Sequence, residues 1–374
     1  MRAQDAVQLT KELVRMNTIN PPGREEPCAR HLGAQLEGAG FQTRYHSFAE
    51  GRVSLVATIG CGGSKLPLCF TGHIDTVPLG AAAWQIDPFA GDTDAGLLYG
   101  RGASDMKCGV AAFTIAALAM AKHLTCTCGV SLVITAGEET GCEGAFHLYR
   151  EGVLGQAGAV VVAEPTSNYP FVGHRGALWL KARTRGVTAH GSMPEKGVNA
   201  VYKAAHAVSS LERFRFSNPP HALMGQATLN VGTFHGGLNI NSVPDQAEIG
   251  VDIRSVPTVD HKELIKLLAA QLGPEVELET QLDLEAVYTE PRNLWIQSVF
   301  EVMTPILGEA PAPRVATYFT DAAALNRAYS HPPTVILGAG EPQMAHQTNE
   351  YCVVERVEKS VAAYEELIRG WCLS

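Results

Sequence analysis

VSLVITAGEE (Val130–Glu139) is a short run rich in Val, Leu and Ile, followed by a small-residue turn and two adjacent carboxylates. A run of this length and branching reads as a buried strand, and its end carries charge. Three further stretches have the same build: VSLVATIG (Val53–Gly60), LPLCFTGHID (Leu66–Asp75) and AGAVVVAEP (Ala157–Pro165). All but the first end in an acid or a histidine: His73 and Asp75, Glu138 and Glu139, Glu164. Helical patterns separate them, Pro27–Ala39 and the Ala-rich Gly109–His123. Strands alternating with helices predict an α/β sheet, and such sheets bind ligands beyond the carboxyl ends of their strands.

The pattern changes after Pro170. GALWLKARTRG alternates like a strand, Lys196–Phe214 is amphipathic, and ATLNVGTFHGG and QAEIGVDIRSV look antiparallel; a helix, Val259–Gly273, and a strand, Val276–Ala286, follow. Strand–helix–strand–strand–helix–strand predicts a ferredoxin-like α+β unit inserted into the first. The α/β style returns with a helix over Pro291–Leu307. The expected division is 1–173 and 287–374 for one domain, with 174–286 as the insert. A chain of 374 residues suits this, because single cores stop growing near ~250–300 residues.

A composition of 46% hydrophobic and 18% charged residues supplies enough apolar mass for a large core. Net charge is −9 with no basic block, which argues against nucleic acid or an anionic membrane as partner. The apolar stretch Gly109–Ala121 is shorter than the roughly 20 residues of a membrane span. The start, MRAQDAVQLTKELVRM, has no apolar signal core; Val7, Leu9, Leu13, Val14 and Met16 give a rough helix face. Nine cysteines without a regular framework point to free thiols and a cytoplasmic setting. Cys126 and Cys128 lack the second pair of a structural zinc site.

Five positions offer metal-ligand chemistry: His73, Asp105, Glu139, Glu164 and His346. Imidazole and carboxylate are the donors of a catalytic zinc that keeps a coordination position open. Two such ions about 3.5–4 Å apart need a bridging carboxylate, a role that suits Asp105 in YGRGASDMKCG, on a Gly-rich turn before a helix. Singly, each signal has an ordinary alternative, a surface pair, a strand end or a solvated loop histidine. Together they form one pattern, and carboxylates gathered around cations would also raise the formal negative charge.

TGHIDTVP, LYGRGASDMKCG, TAGEETG, VVAEPT and GAGEPQMAHQTNEY, in that order, resemble the metal-site motifs of a known family. It is the family of acetylornithine deacetylase, succinyl-diaminopimelate desuccinylase, aminoacylase and glutamate carboxypeptidase. The resemblance covers nearly the whole chain, and AHQTNEY looks most like the acetylornithine deacetylase branch. It implies a zinc-peptidase-like α/β catalytic domain with an inserted lid that also forms a homodimer. It implies two divalent ions, taken as Zn2+, with Co2+ and Mn2+ tolerated by the same donors. His73, Asp105 and Glu164 would surround one; Asp105, Glu139 and His346 the other. Glu138 would be the general base for a metal-bridging hydroxide, facing away from Glu139 if the segment is extended. Asp75 would accept the second ring N–H of His73.

In the insert, the motif VTAHGSMPEKGVNAV implies that His190 polarises the scissile carbonyl, in the family often from the partner subunit. Asn241 and Arg254 in NSVPDQAEIGVDIR also fit, Arg254 as the fork for a substrate carboxylate; Arg175 and Thr320 are weaker candidates for the same pocket. The segment NTINPPGRE differs from that of the arginine- and lysine-biosynthetic members, which leaves the substrate open. The expected activity is removal of the acyl group from an N-acyl amino acid. A carboxypeptidase or dipeptidase would use the same site on a short peptide, and a non-catalytic metal-binding protein is the third possibility.

Overall fold

The computed structural model describes residues 3–60, 62 and 65–373. The chain divides into two compact units: Met1–Gly173 with Tyr288–Arg314 and Thr320–Ser374, and His174–Val287 with Val315–Phe319.

The central sheet of the first unit runs, in spatial order, through Gln42–Ala49, Arg52–Ile59, Val130–Thr135, Leu68–His73, Ala159–Val162 and Thr334–Ile336, and continues to Phe171–His174. Leu68–His73 pairs in parallel with both Val130–Thr135 and Ala159–Val162, which also pairs in parallel with Thr334–Ile336. Every residue of these four strands is buried, which is why they read as continuous apolar runs without alternation. Because they are parallel, their carboxyl ends lie at one edge, and the charged residues follow there. Gln42–Ala49 was not foreseen from sequence: QTRYHSFA is partly exposed along its length, at the antiparallel sheet margin.

The helix Cys108–Leu124 packs on Leu68–His73, on the first helix Ala3–Arg15 and on the last, Val354–Cys372. With the irregular turn Ala103–Lys107 it is by length and composition apolar enough to cross a membrane, contrary to the shorter span read from sequence, but 83% of its apolar 18-residue window is buried inside the protein. Close packing sets its place. A side chain at Gly109 would put a Cβ 2.2 Å from the carbonyl oxygen of Ala163, so this glycine lets the helix start abut the segment that leads to Glu164. The buried Lys107 ammonium donates to the carbonyls of Leu13 and Met16, capping the first helix. That helix buries Ala6, Leu9, Thr10, Leu13 and Val14, whereas Val7 and Met16 are only partly covered. Eight cysteines are free, Cys126 exposed and the others buried; Cys61 lies outside the described residues.

The second unit is a four-stranded antiparallel sheet in the order Thr228–Gly236, Gln246–Ser255, Gly176–Arg185, Val276–Leu284. Burial alternates along Gln246–Ser255, one face covered by the helices Ala200–Glu212 and His261–Leu272. Asn199 and Asp260 cap these helices through their side chains. At the start of this unit His174 is fully buried: its Nδ1 bonds the Arg175 carbonyl at 2.8 Å, and its Nε2 has no partner among the described residues. Burial pushes its pKa down from 6.5 to about 4. Below 6.5 the unfolded chain takes a proton that the folded chain refuses, so stability falls as pH drops from 6.5 to 4, by on the order of 3 kcal/mol. In urea unfolding at pH 7 and pH 4.5, His174→Asn should lose visibly less stability between the two than wild type.

Candidate active site

His73 closes its strand, and Asp75 follows on the loop. Both are buried. His73 Nδ1 lies 3.0 Å from the Asp75 main-chain carbonyl and 3.5 Å from its carboxylate. Nδ1 thus faces both the Asp75 carbonyl and, at longer range, the expected carboxylate, which leaves Nε2 turned toward Asp105 and Glu164. That carboxylate has other work. It accepts the backbone N–H of Glu138 at 3.0 Å and of Glu139 at 3.2 Å, and the Asn20 amide at 2.9 Å.

Glu138 and Glu139 do not lie on an extended segment. The strand stops at Thr135, and Gly137 at φ 74° turns the chain so that both N–H groups meet Asp75. The two side chains still diverge. Glu139 reaches His346, whose Nε2 is 3.0 Å from its Oε2. Glu138 is buried on the other side with Cys142 and Asp321, their polar atoms within 4.8 Å of one another.

Asp105 lies between two histidines. Its Oδ1 is 3.2 Å from His73 Nε2, and its Oδ2 is 3.4 Å from His346 Nε2. Glu164 adds an oxygen 3.9 Å from His73 Nε2. The chain thus brings together His73, Asp105 and Glu164, and separately Asp105, Glu139 and His346, each set with donor atoms within 4.8 Å.

The electrostatics of this cluster call for positive charge. Burial, with Asp105 close by, pushes Glu139 up; burial also pushes Glu164 well up, against the pull of His73. Burial opposes a charged His73, yet hydrogen bonds to Asp105 and Asp75 raise it well above its usual value. Hydrogen bonds to Asp105 and Glu139 lift His346 to about 10. Burial works against a carboxylate at Asp105, but His346 and His73 hold its pKa below the usual range. Imidazole nitrogens and carboxylate oxygens converging in this way fit divalent cations of the zinc, cobalt or manganese type.

The sequence model of peptidase family M20/M25/M40 matches residues 69–370, most of the chain and all five of these positions. The chain belongs to this family. An acetylornithine deacetylase of Proteus mirabilis is 32% identical over 388 residues, 98% of this chain and 97% of that protein. A succinyl-diaminopimelate desuccinylase of Stenotrophomonas maltophilia is 30% identical over 378 residues, 97% of this chain and 98% of that one. The crystal structure of an M20 metallo-carboxypeptidase from Sulfolobus solfataricus superposes with a TM-score of 0.81 at 18% identity, covering 98% of both chains, and shares the fold. The chain is accordingly a metal-dependent hydrolase of amide bonds, and its fold is the M20 fold of catalytic and lid domains.

Four residues proposed from sequence belong to the inserted unit of this M20 chain. His190 is exposed, its Nδ1 2.7 Å from Ser192 Oγ, and Gly191 N–H donates to the Asn241 carbonyl at 2.8 Å. Arg254 pairs with Asp252 at 3.1 Å and faces the Phe319 ring. The Arg175 guanidinium donates to the Met224 carbonyl. Thr320, in the first unit, is buried and accepts the Ala322 N–H at 3.1 Å, a helix-start role.

Three residues at the M20 site went unread. Asp321 accepts the Thr135 hydroxyl and stands beside Glu138; burial pushes it up to about 6. In FTDAAAL an acid directly ahead of a helix has the pattern of an ordinary cap, so nothing local sets it apart. Asn20 and Glu350 hold loops through contacts distant in sequence. The available signals were a polar residue ahead of Pro-Pro and an acid four residues after His346.

Proposed function

We propose that this chain is a two-cation deacylase that hydrolyses the amide of an N-acyl amino acid, releasing a carboxylic acid and the free amine. One observation carries this reading: the two oxygens of Asp105 face two different histidine–carboxylate groups, with Glu138 buried beside them and in neither. His73, Asp105 and Glu164 would hold one cation, and Asp105, Glu139 and His346 the other, taken as Zn2+. When bound, such ions supply Lewis acidity to the carbonyl and acidify water.

The remaining steps belong to the chain. Glu138 takes a proton from the water that attacks the carbonyl carbon. As the C–N bond breaks it delivers that proton to the leaving nitrogen. Burial, with Glu164, Asp321 and Glu139 nearby, makes Glu138 avid for a proton, which suits it to carry one between the two steps. Asp75, by holding both backbone N–H groups of the turn, keeps Glu138 and Glu139 on their separate sides. His190 donates to the carbonyl oxygen as negative charge develops there, acting within a homodimer formed through the insert. Arg254, supported by Asn241 and Arg175, takes the substrate carboxylate, exchanging Asp252 for it.

The names of the relatives at 30% and 32% identity support an acyl amino acid as substrate. The test is a panel of N-acetyl, N-succinyl and N-formyl amino acids set against dipeptides. Amine release from the acyl amino acids is expected; cleavage of dipeptides alone would make the chain a peptidase using the same residues. His190→Ala should lose roughly 10²–10³-fold in kcat, as oxyanion donors do. It should keep its full metal content, measured by mass spectrometry; unchanged turnover would remove His190 from the mechanism.

A further inference from the structure

Glu350 is fully buried, and its carboxylate is saturated by donors from a single distant loop. Oε2 accepts Arg101 Nη1 at 2.7 Å and the Gly102 N–H at 2.9 Å. Oε1 accepts the Ser104 N–H at 2.8 Å and the Asp105 N–H at 3.0 Å. Further bonds tie the same two segments: Ser104 Oγ donates to the Tyr351 carbonyl at 2.6 Å, the Glu341 N–H donates to Ser104 Oγ at 2.9 Å, and the Gly100 N–H donates to the Glu350 carbonyl at 2.9 Å. Close approach at Gly340 belongs to the same seam, since a Cβ there would meet the Ser104 carbonyl oxygen at 2.0 Å.

This arrangement joins the loop that carries Asp105 to the loop that carries His346. Neither loop is part of a strand or a regular helix at those residues. The strands Leu97–Tyr99 and Tyr351–Val353 beside them pair antiparallel, but that pairing stops short of Asp105 and His346, and the Glu350 carboxylate carries the join on to Asp105. His73 and Glu164, by contrast, sit at or just past buried strand ends. We propose that Glu350 is a positioning residue: its carboxylate locks the Asp105 loop against the His346 segment, so that the second cation group is formed before any cation arrives. The inference rests on the two-cation reading of the site.

A glutamine at 350 would turn an N–H donor toward at least one of these N–H groups and leave Arg101 without a countercharge. The group of Asp105, Glu139 and His346 then has two of its three members on loosened loops. The group of His73, Asp105 and Glu164 has only one.

The experiment is a calorimetric titration of metal-free wild type, Glu350→Gln and Glu350→Asp with Zn2+ alone. Wild type is expected to take up two equivalents. Glu350→Gln should keep the tighter one and bind the second about 10–100-fold more weakly, the usual loss when support around a ligand is removed. Glu350→Asp, which keeps the charge, should recover part of it. A general structural weakening would not separate the two equivalents. A folded Glu350→Gln protein that titrates like wild type would overturn the proposal. Should that variant not fold, hydrogen exchange on metal-free wild type decides: protected amides at Gly102, Ser104 and Asp105 are expected, and exchange as fast as in open loops would overturn it. Wild type that takes up no Zn2+ would sink the two-cation reading and this proposal together, whereas two normal equivalents in Glu350→Gln would sink the proposal alone.

Discussion

Glu138→Gln should hydrolyse its amide substrate roughly 10²–10⁴-fold more slowly than wild type, the contribution of a positioned general base. The replacement is nearly isosteric, and the buried site beside Cys142 Sγ, 3.7 Å from Glu138 Oε1, accommodates it. What it loses is the capacity to accept a proton. The turn itself should survive, because Asp75 holds it by main-chain N–H groups that any side chain at 138 leaves in place. The expected pattern is a fall in kcat with little change in KM and unchanged metal content. Steady-state kinetics with metal analysis on the same samples checks it. Retained turnover would remove Glu138 as the base, and equal inactivity of wild type with metal bound would make the chain a binding protein.

Asp105→Ala should cost more than any other single ligand change. Its two oxygens serve His73 and His346 separately, so one substitution damages both groups, whereas Glu164→Ala or Glu139→Ala touches one. Disturbing only the support of a ligand costs about 10–100-fold in affinity or activity, and loss of a shared ligand should exceed that clearly. The variant relieves some like-charge repulsion on Glu139 and Glu164. It also removes the carboxylate that His73 and His346 share and hold below its usual pKa, so the metal-free protein should be less stable than metal-free wild type at neutral pH. Kinetics alongside thermal unfolding of the two metal-free proteins measures both effects. Activity within tenfold of wild type would refute the shared role.

The site was legible in sequence where chemistry and element coincide. His73 ends a buried strand, and Glu164 stands two residues past another, so an apolar run followed by a ligand-type residue located both. Asp105 was legible from its Gly-rich turn before a helix. Glu138 and Glu139 were found by type but given the wrong local geometry. An extended segment would alternate them, whereas a left-handed Gly137 and the Asp75 carboxylate fold them into a turn. Glu350, Asn20 and Asp321 stayed out of reach because their partners are remote: Glu350 bonds a residue 246 positions away, and Thr135 is 186 positions from Asp321. A buried carboxylate that serves backbone N–H groups has no local pattern to announce it.

The most direct measurement is the number of transition-metal ions per chain, by inductively coupled plasma mass spectrometry after loading with Zn2+ and removal of the excess. Two ions per chain are predicted, because Asp105 offers one oxygen to each of two donor groups. A chain that retains none, or only one under saturating Zn2+, would contradict the account.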